Sequence, residues 1–168
     1  MRARLLPFAI KAIGFFLAGY LVWYFIGPWY DRWLVWVVDG LSPSQVTLIE
    51  GNGIAWYHGR ELRGVWSTGL HYGVILVIAL VAATPGMSLW KRSQSALVAL
   101  TLVFAVHVVT LLALAGTEFS ADPILKTLLL PIGCNLFPIV IYAALTLRYW
   151  RAEAKRLTGK GKTKSRIS

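Results

Sequence analysis

Four long apolar runs constrain this chain more than any other feature. They fall at residues 6–29, 66–84, 96–116 and 124–147. A bilayer-crossing helix needs about 20 predominantly apolar residues, because roughly 30 Å of hydrocarbon is covered at about 1.5 Å per residue. The whole chain is 57% hydrophobic and 14% charged, against about 25% charged for a soluble domain. The expected fold is an all-α membrane protein. It is a four-transmembrane-helix bundle over residues 1–150, with a small extracytoplasmic β-hairpin or interfacial segment and a basic tail.

The ends of the runs agree with that reading. Trp23, Tyr24, Trp29, Tyr30, Trp66, Trp90, Tyr149 and Trp150 gather there, as aromatic residues do at membrane interfaces. Lys11 lies close enough to the start of the first run to snorkel toward headgroups. Pro85-Gly86 closes the second run, and Pro131 and Pro138 interrupt the fourth. The first run is too long for a removable signal peptide and ends in Trp29-Tyr30 instead of small residues, so it is expected to remain as an anchor.

Charge sets the orientation. Net charge is +10, and eight of the 17 basic residues lie within 148–166. No nucleic-acid recognition motif accompanies them. A basic segment just inside a membrane helix is instead what the positive-inside bias produces, and it can touch anionic lipid headgroups. One side of the membrane would hold 13 basic residues: Arg2, Arg4, Lys11, Lys91, Arg92 and the eight of the tail. The other side would hold Arg32, Arg60, Arg63 and Lys126 with six of the seven acids. Both termini are therefore expected in the cytoplasm of a bacterial cell, with the chain in the inner membrane and the tail at 151–168 disordered.

Residues 30–65 form the largest segment outside the runs. Its first part, 31–39, is apolar with charged ends, and it fits either an interfacial helix or a continuation of the first helix bent at Pro28. Residues 45–50 and 54–58 alternate around Gly51-Asn52-Gly53, which reads as a hairpin needing a surface to lie on.

Ionisable or nucleophilic groups deep in a membrane are candidate sites. His107 is about 16 Å, and Cys134 about 20 Å, from the basic ends of their runs. An adjacent thiol and imidazole, oriented by Asn135, would follow the logic of a cysteine protease or transpeptidase. The simpler reading is packing: a buried cysteine behaves as a small hydrophobe, and a lone histidine supplies an interhelical hydrogen bond. Cys134 is the only cysteine, which excludes an intrachain disulfide and a thiol-rich metal site. His71 or His107 could ligate haem or a pigment, although an offset of roughly 6 Å in depth is awkward for both on one iron. Gly69 and Gly73 have the small-xxx-small spacing of close helix approach. No HExxH, GxSxG or P-loop pattern occurs, and no acid lies within a run to couple ions or protons. A carrier or pump is therefore not expected, and neither a cofactor nor a metal is expected in the preferred reading.

Three segments carry a family resemblance: GYLVWYFIGPWYDRWLVWVV at 19–38, LHYGVILVIALVAATPG at 70–86 and WKRSQSALVALTLVFAVHVV at 90–109. Together they resemble the small membrane proteins of exosortase systems, the exosortase H-associated type. Exosortases proper are multi-pass transpeptidases using a membrane-embedded Cys, Arg and His. Here position 84 is threonine where the order of segments would put the nucleophile, no arginine matches the second member, and Cys134 follows His107. The resemblance thus implies a non-catalytic associate acting in protein sorting or export. Its expected partners are membrane lipid and other integral membrane proteins. The expected contacts are Val46, Leu48, Ile54, Trp56 and Tyr57, with Trp33 and Trp36 nearby. A cysteine enzyme using Cys134 and His107, and a haem or pigment subunit, stay open as alternatives.

Overall fold

The computed structural model describes residues 2–42, 45–49, 53–58, 60–67, 72–115, 132 and 136–164. Within them the elements run α1 (Arg2–Leu41), β1 (Gln45–Ile49), β2 (Gly53–His58), β3 (Glu61–Ser67), α2 (Tyr72–Ala83), α3 (Leu89–Ala115) and α4 (Phe137–Lys164). The fold is mostly helical, and among the described residues two helices are long and apolar enough to cross a membrane.

α1 is one helix of 40 residues that neither Pro7 nor Pro28 ends. It is about 60 Å long at 1.5 Å per residue. Residues 31–39 therefore continue α1 and do not form a separate interfacial helix. The reason lies in a stripe four residues apart: Tyr30 is half-buried, and Leu34 and Val38 are fully buried. That burial favours helix beyond the point where lipid would cease to help, and one missing donor at Pro28 does not outweigh it. The last turn is tied down by Ser42 N–H donating to the Val38 carbonyl at 2.8 Å. Val46 N–H donates to the Asp39 carboxylate at 3.0 Å and so hangs β1 from the end of the helix.

The three strands pair antiparallel in the order β1-β2-β3. Val46 sits opposite Trp56, Leu48 opposite Ile54, and Ile54 opposite Trp66, with an irregularity between Trp56 and Tyr57 in the second pairing. Trp66 is thus a strand residue. The second helix, expected from residue 66, begins at Tyr72, and residues 68–71 lie outside the described set. Residues 51 and 52 of the expected turn also lie outside it, and Gly53 opens β2.

Thr84, Pro85 and Gly86 end α2. Thr84 N–H turns back to the Val81 carbonyl at 3.2 Å, and Gly86 takes φ 73°, a left-handed conformation that favours glycine. Arg92 donates to the Thr84 carbonyl at 3.1 Å, placing a cation at the negative end of the α2 dipole. Ser88 then starts α3: its hydroxyl accepts from Lys91 N–H at 3.4 Å, and its carbonyl accepts from Arg92 N–H at 2.9 Å. Residues 89–95, which precede the third apolar run, are therefore the first two turns of α3.

α4 is helical through Lys164, where the sequence suggests a disordered tail. Alternating Ala, Glu, Lys and Arg at 151–156 are good helix formers, and they extend a helix already nucleated in the apolar part. Of the fourth run at 124–147, residues 124–131 and 133–135 lie outside the described set.

Two clusters form the core. The first joins α2, α3 and α4 through Val74, Val77, Ala99, Val103 and Ile141, with Trp23 and Tyr30 of α1 against it. The second joins the far half of α1, the sheet and the end of α3 through Leu34, Val38, Val46, Ile54, Leu111 and Leu114. α1 approaches α2 closely at Gly19, where a Cβ would stand 3.0 Å from Ile75 Cγ2.

Candidate functional site

The two clusters meet at a tyrosine–histidine pair. Tyr30 on α1 and His107 on α3 are 77 positions apart in sequence, and the Tyr30 hydroxyl lies 2.7 Å from His107 Nδ1. The direction of this hydrogen bond follows the imidazole tautomer. His107 is fully buried. Around the pair, the Tyr30 ring meets Phe104 edge-on at 5.4 Å and 90°, His107 at 6.0 Å and 90°, and Trp23 at 5.2 Å and 58°. Trp23 and Tyr30 are two turns apart, and Phe104 and His107 are one turn apart, so each helix presents one face. Gly27 completes the arrangement, because a Cβ there would press within 2.9 Å of the Trp23 indole nitrogen.

Such a pair fixes the rotation of α1 against α3. Two polar groups are removed from water or lipid together, and each meets the other's requirement for a partner. Cys134 and Asn135 lie outside the described residues, so the thiol–imidazole arrangement expected of a sorting enzyme is not among the described contacts. His71 and Gly69 lie outside them as well, while Gly73 is buried in α2. Among the described residues, no group of three or more His, Cys, Asp or Glu could hold a metal ion.

Thr84, at the end of α2, is fully buried. Its hydroxyl donates to the Leu80 carbonyl at 2.8 Å and lies 3.5 Å from the Tyr142 hydroxyl. Tyr142 in turn accepts from the Trp150 indole N–H at 2.9 Å. This chain of contacts ties α4 to the α2 terminus and accounts for the threonine as a packing residue.

The expected partner contacts divide by burial. Val46 and Ile54 are 3% and 1% exposed, held within the core cluster beneath the sheet. Leu48 is exposed and Tyr57 half-buried. Trp56 lies in β2, and its side chain is outside the described set. Trp33 and Trp36 are 60% and 70% exposed, with their rings edge to face at 5.7 Å. Sequence reasoning missed Tyr30 and Phe104 as neighbours of His107. The available signal was the aromatic pair Trp23 and Tyr30, each about one turn from Gly27. No family model, no curated protein and no solved structure matches the chain.

Proposed function

We propose that this chain is a non-catalytic accessory subunit of a larger assembly in the bacterial inner membrane. In this reading α1, α2, α3 and the run leading into α4 cross the bilayer, and both termini face the cytoplasm. The sheet lies on the outer side, and the resemblance at residues 19–38 suggests protein sorting or export as the setting. α2 is short for a crossing, about 18 Å of helix. It lies among α1, α3 and α4, which is where incomplete helix at membrane depth is tolerated.

The observation that carries the proposal is the far half of α1. From Lys11, which would reach the inner headgroups, to Trp36 is about 37 Å of helix, more than the roughly 30 Å of hydrocarbon. On this projecting part, Leu34 and Val38 face the sheet while Trp33 and Trp36 stand exposed. Adjacent tryptophans held on a rigid helix, with their own core already filled behind them, suit a protein contact.

Purification in mild detergent should bring down a membrane partner, identified by mass spectrometry. Replacing both Trp33 and Trp36 with alanine should remove it, since a buried interface tryptophan is commonly worth about 2 kcal/mol or more. Helical content and protein level should be unchanged. A wild-type protein that runs as a clean monomer, or a partner that stays bound to the double variant, would sink the proposal. Orientation is tested separately by labelling single cysteines at positions 52 and 160 on a Cys134→Ala background. The two should label from opposite sides.

A further inference from the structure

At the end of the molecule away from the sheet, α3 and α4 leave an open groove of about 650 Å³, within the range of roughly 300–1,000 Å³ of ligand sites. We infer that this groove binds one anionic phospholipid, with its phosphate on Arg148, Arg151 and Lys155 and the start of an acyl chain along Ala144, Leu145 and Leu147. The inference rests on the reading of the chain as a membrane protein.

The groove has the polarity of the ligand. Its walls change from apolar at 144–147 to cationic at 148–155 over about 16 Å of α4. Arg148, Arg151 and Lys155 recur at three- and four-residue spacing, so they share one helix face. Glu153, the one acid in 148–168, is not among the residues lining the groove. Ser95 of α3, 8% exposed, adds a hydroxyl to the opposite wall. Three cations and a hydroxyl around one opening complement a phosphodiester, and guanidinium groups fit its oxygens through paired donors.

Arg148 also has a side-chain contact of its own. Arg148 lies 4.9 Å from the Tyr149 ring centroid and donates to its hydroxyl at 3.1 Å. It has further donors to offer a ligand. Elsewhere on α4, Trp150 meets Phe8 of α1 edge-on at 4.9 Å as well as bonding Tyr142. Those contacts fix the rotation of α4, so the groove does not depend on the ligand to form.

The test is native mass spectrometry of detergent-released protein given equal amounts of phosphatidylglycerol and phosphatidylcholine. Wild type should retain one phosphatidylglycerol in preference. The triple variant Arg148→Gln, Arg151→Gln, Lys155→Gln should lose that preference by roughly fivefold for each cation removed. Lys160→Gln, Lys162→Gln, Lys164→Gln removes the same charge farther along α4 and should keep the preference. Should the groove triple variant lose its helical circular dichroism, Ala152→Trp decides the matter, because it fills the groove without changing charge and should also expel the lipid. No preference in wild type, an equal loss in the distal triple variant, retention by Ala152→Trp, or displacement by millimolar inorganic phosphate would each overturn the inference. Retention in detergent reads the groove whichever leaflet it faces. Labelling at positions 52 and 160 reads sidedness, so one idea can fail while the other stands.

Discussion

Between Leu6 and Trp29, α1 leaves Leu6, Ile10, Leu17, Leu21 and Phe25 exposed, whereas seven of the 12 residues of α2 are buried. Both are apolar helices, and their difference is in side-chain size. α2 is built from Gly, Ala, Val, Ile and Leu after Tyr72, and small or β-branched residues let neighbouring backbones approach. α1 carries Trp23, Tyr24, Phe25 and Trp29 within seven positions and touches its neighbours through a narrow stripe. Apolarity marks a segment as unsuited to water. In this fold the helix of smaller side chains is the one that other helices cover.

The largest expected effect comes from placing a carboxylate on each helix. Val77→Asp would bury an uncompensated charge in the core of α2, costing several kcal/mol. It should abolish accumulation in the membrane fraction. Leu17→Asp, at an exposed position, should cost about 2.5–3.5 kcal/mol if that face meets lipid, read as reduced membrane-fraction level and earlier melting in detergent. A Leu17→Asp protein that accumulates normally would mean α1 faces water, and the comparison with α2 would collapse.

A smaller effect tests the stripe itself. Gly19 faces Ile75 closely, while Gly14, one and a half turns earlier, has nothing within 4 Å of a built Cβ. Gly19→Leu should overpack the α1–α2 contact by about 1–3 kcal/mol. Gly14→Leu should not lower the melting temperature. Equal effects from the two would place the contact elsewhere on α1.

The sequence made some of this architecture legible and hid the rest for physical reasons. The apolar runs at 6–29 and 96–116 are visible because length and composition alone nominate a crossing helix. Continuation of α1 to Leu41 is hidden by Pro28, which locally reads as a stop, whereas burial of Leu34 and Val38 against a sheet distant in sequence keeps the helix going. β3 is hidden by its neighbour: Glu61-Leu62-Arg63 alternates like a strand, but Val65 and Trp66 merge with the apolar run that follows. The start of α3 is signalled by Ser88 as a cap, a signal weakened by Lys91 and Arg92, which read as loop charge. Among the site residues, His107 stands out as a polar group in an apolar run. Its partner does not, because an aromatic residue near the end of a run has a sufficient explanation as a belt residue. The cationic face of the groove follows helical spacing, yet it becomes visible only once residues 151–155 are known to be helix.

The smallest expected effect concerns the bond that joins the exposed helix to the buried ones. Tyr30 is the point where α1 both enters the aromatic box and bonds α3, so its hydroxyl should contribute to α1 docking beyond the packing of its ring. Interhelical hydrogen bonds in membranes average about 0.6 kcal/mol and reach about 1.7. Tyr30→Phe keeps the ring and its contacts with Phe104 and Trp23, removing the hydroxyl alone. His107→Leu removes the other partner, and the double variant closes a cycle that isolates the pairwise term. A coupling of about 0.6–1.7 kcal/mol is expected from unfolding of the purified protein in mixed micelles. Tyr24→Phe serves as the control, since Tyr24 is 79% exposed and should change stability by less than about 0.5 kcal/mol. Coupling near zero would mean that the two polar groups are satisfied equally well apart. The orientation of α1 would then rest on ring packing and the glycine contacts, and not on the Tyr30–His107 bond.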